Sequence, residues 1–432
     1  MIQDAEVILW GTRIGMVHTD ANSGITSFEY DPKFMKSGIE ISPFKMPLNG
    51  ALYAFPELNN TSFRGLPGLL ADSLPDRFGN AVIDNWLISQ GREPDSFTAI
   101  ERLCYTGKRG MGALEYIPSI GATTDTSISI DVNEMVKLAS VILSGKEDIK
   151  YSAKDITMQQ MLEFGTSAGG ARAKAVIAWN RETGDIRSGQ VDTPKGYDHW
   201  LVKFDGVSGN GDHNVKDKKQ YTMVEYAYYL MACDAGIEMS ECRLFAHDGL
   251  NHFMTKRFDR VDGRKLHMQT YAALCHLDYD IPKLSSYETL AKTARMLGAK
   301  SSEIEQIYKR MVFNCKAVNM DDHVKNFSFI MDKNGMWSLS PAYDMTFSYK
   351  KGNKWLSKHQ MTVNGKAEDI TDEDILMAGK NMGLSAKKCR QVLDKIDNVV
   401  SNWIEYADKS GINEKTAKAI EDVIISVNNE KN

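Results

Sequence analysis

The densest chemistry in this chain lies in NMDDHVKNFSFIMDKNGMWSLSPAYDM, residues 319–345. A loop carrying Asp321, His323, Lys325 and Asn326 runs into an alternating segment FSFIM, a DKNG turn, a second short strand MWSLS, and then Asp344. Phosphoryl transfer from a nucleotide needs a carboxylate within reach of the attacking hydroxyl and hard oxygen ligands for magnesium on the phosphates. Asp321 and Asn326 stand five apart, the interval between the base and the metal-binding Asn of the protein-kinase catalytic loop. A hairpin leading to a second acid is likewise kinase-like, although Asp344 is followed by Met345 and Thr346 instead of Phe-Gly.

The residues upstream fit the same chemistry. In GTSAGGARAKAVIAW, glycines 165, 169 and 170 would let backbone N–H groups approach phosphates with no Cβ in the way. In HWLVKFDG, alternation puts Trp200, Val202 and Phe204 on one face of a strand and Leu201 and Lys203 on the other. A lysine among apolar strand neighbours is costly unless paired, so Lys203 suits nucleotide phosphates, with Glu225 on the following helix as its orienting partner. That helix, TMVEYAYYLMACDAG, has an apolar stripe of Met223, Tyr226, Ala227, Leu230 and Met231 and a capping Gly236. Taken singly, these features also read as a turn, a snorkelling lysine, a solvated glutamate and helix-capping aspartates. Their order along the chain is what points to a kinase.

The elements that must position these residues fall into about three units, as 432 residues suggest. Residues 1–118 read as an α+β region. It holds a hairpin (AEVILWG, TRIGMVHT), a strand GALYAF, and a helical face Leu69, Leu70, Phe78, Val82, Ile83, Trp86 interrupted at Pro75. The Ser/Thr-rich stretch 119–131 reads as a connector; strands CRLFAH and HFMTKRF follow; beyond about residue 263 the pattern is mainly helical. The last helix, GINEKTAKAIEDVIISV, is expected to bury Ile412, Ala419, Ile420, Val423 and Val427.

Composition excludes several classes. With 42% apolar and 25% charged residues the chain is an ordinary globular one. Its net charge of −5 argues against coating nucleic acid by bulk electrostatics. Six scattered cysteines form no CxxC pair, so buried thiols are expected instead of zinc or disulfides. No apolar run is long enough to cross a bilayer, and Asp4 and Glu6 stand where a signal peptide would be basic, so a cytoplasmic protein is expected.

Five segments in one order, SAGGARAK (167–174), LVKFDG (201–206), KRFDR (256–260), DDHVKNFSF (321–329) and LSPAYDM (339–345), resemble the signatures of the HipA family, the serine/threonine kinase toxins of bacterial toxin–antitoxin modules. ILWGTRIGMV, FEYDPKFMKSG and LLADSLPDRFGN resemble that family's N-terminal domain. The resemblance implies Asp321 as catalytic base, Asn326 and Asp344 as Mg2+ ligands and Lys203 as the ATP-phosphate lysine, with His323 and Lys325 near the phosphates. It further implies Ser167, Ala168, Gly169 and Gly170 in the nucleotide loop, backbone groups of Lys256 and Phe258 at the adenine hinge, and Ser167 as an autophosphorylated regulatory residue. The family often has Gln where Arg172 stands, and Thr166 beside Ser167 leaves the modified hydroxyl ambiguous.

The fold so implied is α+β, two-lobed and protein-kinase-like: an N-terminal subdomain 1–118, a kinase N-lobe-like region 119–262 and an all-helical C-terminal lobe 263–432. The implied partners are a HipB-like helix-turn-helix antitoxin, a protein substrate, which in the best-known branch is glutamyl-tRNA synthetase, and operator DNA reached mainly through the antitoxin. The basic run SYKKGNKWLSK (348–358) reads as a solvated loop or a substrate contact. A small-molecule or lipid kinase and a non-catalytic corepressor remain the other readings.

Overall fold

The structure, a computed structural model, describes residues 2–120, 172–189, 193–207, 211–212, 215–216 and 220–429, with Val132, Met135, Val136 and Ala139. Most of the expected connector and the glycine-bearing part of the Gly-rich segment, including Gly165, Ser167, Ala168, Gly169 and Gly170, lie outside the described residues.

The N-terminal hairpin forms as its sequence predicts. Strands β1 (Asp4–Leu9) and β2 (Thr12–Thr19) are joined by Trp10 and Gly11, both at positive φ, the backbone signature of a tight hairpin turn. With β3 (Thr26–Tyr30), β4 (Leu52–Ala54) and β5 (Leu114–Ile117) they make an antiparallel sheet in the order β4-β3-β2-β1-β5. Val7, Leu9, Ile14, Phe28 and Tyr30 bury one face of it against Leu69, Leu70, Ile100 and Leu103.

A second antiparallel sheet holds β6 (Lys174–Trp179), β7 (Ile186–Ser188) and β8 (Asp198–Lys203), continued after the short ribbon β9 (Gly211–Asp212) and β10 (Val215–Lys216) by β11 (Cys242–His247) and β12 (Leu250–Lys256). Its order is β11-β12-β8-β6-β7. Trp200, Val202 and Phe204 are buried on one face, as the alternation requires. Much of what covers that face comes from the first 118 residues, with Val132, Met135 and Ala139 adding to it. Helix Arg77–Ser89, started by the Asp76 side chain on the Gly79 N–H just after Pro75, packs Phe78, Val82, Ile83 and Leu87 against Ala175, Ile177, Trp200 and Val202.

Helix Tyr221–Asp234 follows and stops before Gly236, whose φ of +79° disfavours any side chain. Its Tyr228 and Met231 join the largest core, built with Leu290, Ile307, Met311, Leu393, Ile396 and Trp403 from the helices of the C-terminal half. That half is not entirely helical. Beyond a ribbon of β13 (Arg260–Val261) and β14 (Arg264–Lys265), a three-stranded sheet forms from β15 (His267–Thr270), β16 (Ser328–Met331) and β17 (Trp337–Leu339). The β16–β17 hairpin matches its sequence pattern. The third strand, β15, pairs with β16 from far along the chain, a long-range match that local pattern does not reveal.

The final helix, Glu414–Asn429, turns Ile420, Val423 and Val427 to the core as expected, with Ile412 buried just before it; Ala417 and Ile424 join that face, and Ala419 is exposed. The cysteines are free, but not all are buried: Cys233 is exposed and Cys275 intermediate. Among the described residues no helix is long and apolar enough to cross a membrane.

Candidate active site

Lys203 ends β8 on the face opposite Trp200 and Val202, and helix Tyr221–Asp234 brings Glu225 to it. Lys203 Nζ lies 2.6 Å from Glu225 Oε1 and also contacts Asp344 Oδ1 directly. The lysine and glutamate side chains are 6% and 3% exposed, whereas Asp344 keeps 32%, so the cluster is closed on the Glu225 side and open at Asp344. Burial alone would lower the Lys203 pKa, but Asp344 and Glu225 carry it above its usual value. Burial pushes Glu225 upward, with Lys203 working against it. At Asp344 burial is outweighed by Lys203 and Lys174, and its carboxyl titrates at about 2. One ammonium therefore faces two carboxylates, and the residual negative charge suits a further cation at the open end.

Asp344 is carried to Lys203 by the hairpin. Its φ of +54° is strained for a residue with a side chain, a conformation common at functional sites. The segment before it is tied down: Ala342 N–H donates to Glu238 O at 2.8 Å, and the Tyr343 hydroxyl donates to Lys325 O at 2.8 Å. The last of these bonds joins the Asp344 segment to the loop bearing Asp321.

That loop follows helix Ser301–Lys316 and ends in the short turn Val324–Asn326. The turn folds Asn326 back so that its Nδ2 donates to Asp321 O at 2.7 Å, which leaves the amide oxygen available as a ligand. Asn326 and Asp344 line one cavity with Asp322, Phe327, Tyr343 and Met345. A carboxylate and an amide oxygen are hard ligands of the kind magnesium takes, completed by phosphate oxygens and water. Among the described residues no group of three or more His, Cys, Asp or Glu side chains is placed to hold a metal.

The two aspartates of the loop diverge. The Asp321 side chain is 23% exposed, and its Oδ1 is 3.9 Å from His323 Nε2. Asp322 is fully buried and accepts from the Tyr287 hydroxyl at 2.7 Å and the Gln360 N–H at 2.7 Å, while its Oδ2 lies 2.9 Å from His359 Nδ1. Burial would lower the His359 pKa, but Asp322 raises it to about 10. Lys325 lies over the Tyr279 ring, 4.5 Å from its centroid. The sequence pattern does not single out Asp322, and no local signal separates it from its neighbour.

The hinge segment differs in part from expectation. Lys256 N–H donates to Glu241 O at 2.8 Å, and its ammonium pairs with Asp198 at 2.7 Å. Phe258 stacks on Tyr343, centroids 5.9 Å apart, which brings the hinge beside the Asp344 segment. The structure thus joins Lys203, Glu225 and Asp344 directly, and Asp321, Asn326 and Asp344 through the loop and cavity. A further lysine, Lys174, is bound by Asp76 at 3.0 Å, a pair the sequence reading does not anticipate.

The chain matches two family descriptions, the HipA N-terminal domain over residues 5–117 and the HipA-like C-terminal domain over residues 166–403. A Haemophilus influenzae protein named "Putative kinase" is 25% identical over 218 residues, covering 42% of this chain and 63% of that protein. "Putative kinase Y4dM" of Sinorhizobium fredii is 28% identical over 174 residues, 35% of this chain and 39% of the relative. The matches thus span less than two thirds of either relative's length. Among solved structures, a chain of the Shewanella oneidensis MR-1 complex of HipA, HipB and operator DNA superposes with a TM-score of 0.67 at 14% identity, over 99% of this chain and 96% of that one. This likeness extends the kinase-like α+β fold over the full length.

Proposed function

The chain belongs to the HipA family, and from that premise we propose that it is an ATP- and Mg2+-dependent serine/threonine protein kinase, the toxin of a toxin–antitoxin module. The observation that carries this reading is Lys203 held between buried Glu225 and half-open Asp344, with Asn326 sharing the Asp344 cavity. Lys203, kept protonated by its two acids, orients the nucleotide phosphates. Asp321 orients the acceptor hydroxyl and takes its proton, with His323 and Lys325 flanking it. A magnesium ion on Asn326 and Asp344, when bound, neutralises charge on the phosphates. Lys256 O and Phe258 N–H hold the adenine edge, and Ser167, Ala168, Gly169 and Gly170 cover the phosphates.

The acceptor in this reading is a protein of the translation machinery, with glutamyl-tRNA synthetase the first to try, and Ser167 is its own regulatory target. A HipB-like antitoxin is the partner, by analogy with the Shewanella complex of HipA, HipB and operator DNA. DNA is reached mainly through that partner, as the net charge of −5 favours. The test is radiolabelled ATP with the purified chain and cell extract. Label in protein bands, mapped to Ser or Thr, supports the proposal. Label confined to lipid or small molecules, or no transfer at all, overturns it.

A further inference from the structure

We propose that Asp76, in the N-terminal domain, is a positioning residue of the nucleotide site: it fixes the Lys174 ammonium beside Lys203, so that the phosphate receptor is complete only with the N-terminal domain in place. The proposal rests on the kinase reading above and adds to it a part for the first domain.

Lys174 and Lys203 are direct cross-strand partners on β6 and β8, so their side chains share one face of the sheet. Like charges placed opposite each other are unfavourable, and here both are buried, at 2% and 5% exposure. Such a pair is tolerated when each cation has an anion of its own. Lys203 has Glu225 and Asp344; Lys174 has Asp76, whose Oδ2 lies 3.0 Å from its Nζ with side-chain exposures of 2% for the lysine and 4% for the acid. The arrangement duplicates the Lys203–Glu225 pair, with the carboxylate supplied from a different part of the chain.

Asp76 cannot swing away. Its Oδ1 accepts the Gly79 N–H at 2.6 Å as the cap of helix Arg77–Ser89, and that helix is packed through Phe78, Val82, Ile83 and Leu87 onto the sheet that bears both lysines. Four residues earlier, Asp72 accepts from Thr270 N at 2.6 Å and from its hydroxyl at 2.8 Å. Burial pushes Asp72 and Asp76 upward, with Lys174 working against it at Asp76 and Lys325 at both, and Lys174 also helps lower the pKa of Asp344.

The test is Asp76→Asn in the full chain. Asparagine caps a helix as well as aspartate does, so it keeps the Gly79 bond while removing the charge that holds Lys174. Titration with a fluorescent ATP analogue should give about tenfold weaker binding, with Tm within about 2 °C of the wild type. In a Lys174→Met background the same change should add nothing, because Asp76 acts through that lysine. If Asp76→Asn does not fold, Asp76→Ser, which also caps, takes its place. Unchanged binding, or an equal loss in the Lys174→Met background, overturns the proposal while leaving the kinase reading intact. A wild-type chain that binds no nucleotide sinks both.

Discussion

Asp321 and Asp322 are consecutive, yet the two faces of their loop do opposite work. The Asp322 face is saturated: its carboxylate meets Tyr287, Gln360 and His359 with no exposure to solvent. Asp321 keeps 23% of its side chain in solvent, on the loop whose Asn326 folds back onto the Asp321 carbonyl. A buried acid held by three hydrogen-bond partners serves to hold the backbone. A partly exposed acid can meet a substrate hydroxyl, which is the part the proposed function gives Asp321.

The contrast breaks most visibly on Asp321→Ala and Asp344→Ala. Each should lower autophosphorylation by about 10³-fold with little change in Tm, as radiolabel incorporation and thermal melting would record. Near-normal turnover in either variant would remove it from the site. Next in size is Asp322→Ala, which strands His359 and the Gln360 N–H. Chemical denaturation should find about 3 kcal/mol of stability lost. A variant that kept its stability and lost only activity would erase the distinction between the two faces.

A smaller effect is expected at Glu225. Glu225→Gln leaves Lys203 paired with Asp344 alone, and phosphoryl transfer should fall about tenfold, chiefly through the KM for ATP. The smallest is a pH effect confined to the closed face. His359 has its pKa raised to about 10 in the folded chain, against about 6.5 unfolded, so the folded state binds the extra proton between these values. The stability from the Asp322–His359 pair is full below about pH 6.5 and is lost as pH rises toward 10. Tm should therefore decline between pH 7 and pH 9.5, and His359→Gln should flatten the decline. An unchanged slope in that variant would show that the pair is not the source.

Much of the candidate site was legible in advance because its clues are local. Period-two alternation in HWLVKFDG separates Lys203 from Trp200 and Val202, and both valine and tryptophan are buried where that pattern puts them. The Asp321 to Asn326 interval and the following hairpin are likewise short-range. Glu225 was placed on the right helix, but its burial was not readable, since a glutamate at that spacing is usually solvated. The pairing of β15 with β16 and the coverage of the second sheet by Arg77–Ser89 depend on segments distant in sequence.

Residue order alone set the chemistry proposed for this chain: an acid to meet a hydroxyl, an amide and a second acid for a metal, and a strand lysine for phosphates. These are properties of side-chain type and short spacing, which the chain carries before it folds. Only the tertiary structure decided which charges meet, assigning Asp322 to His359, Asp344 to Lys203 and Asp76 to Lys174. Those pairings are set by where cores close and how deeply each group is buried, and burial is a property of the packed chain, not of any segment in it.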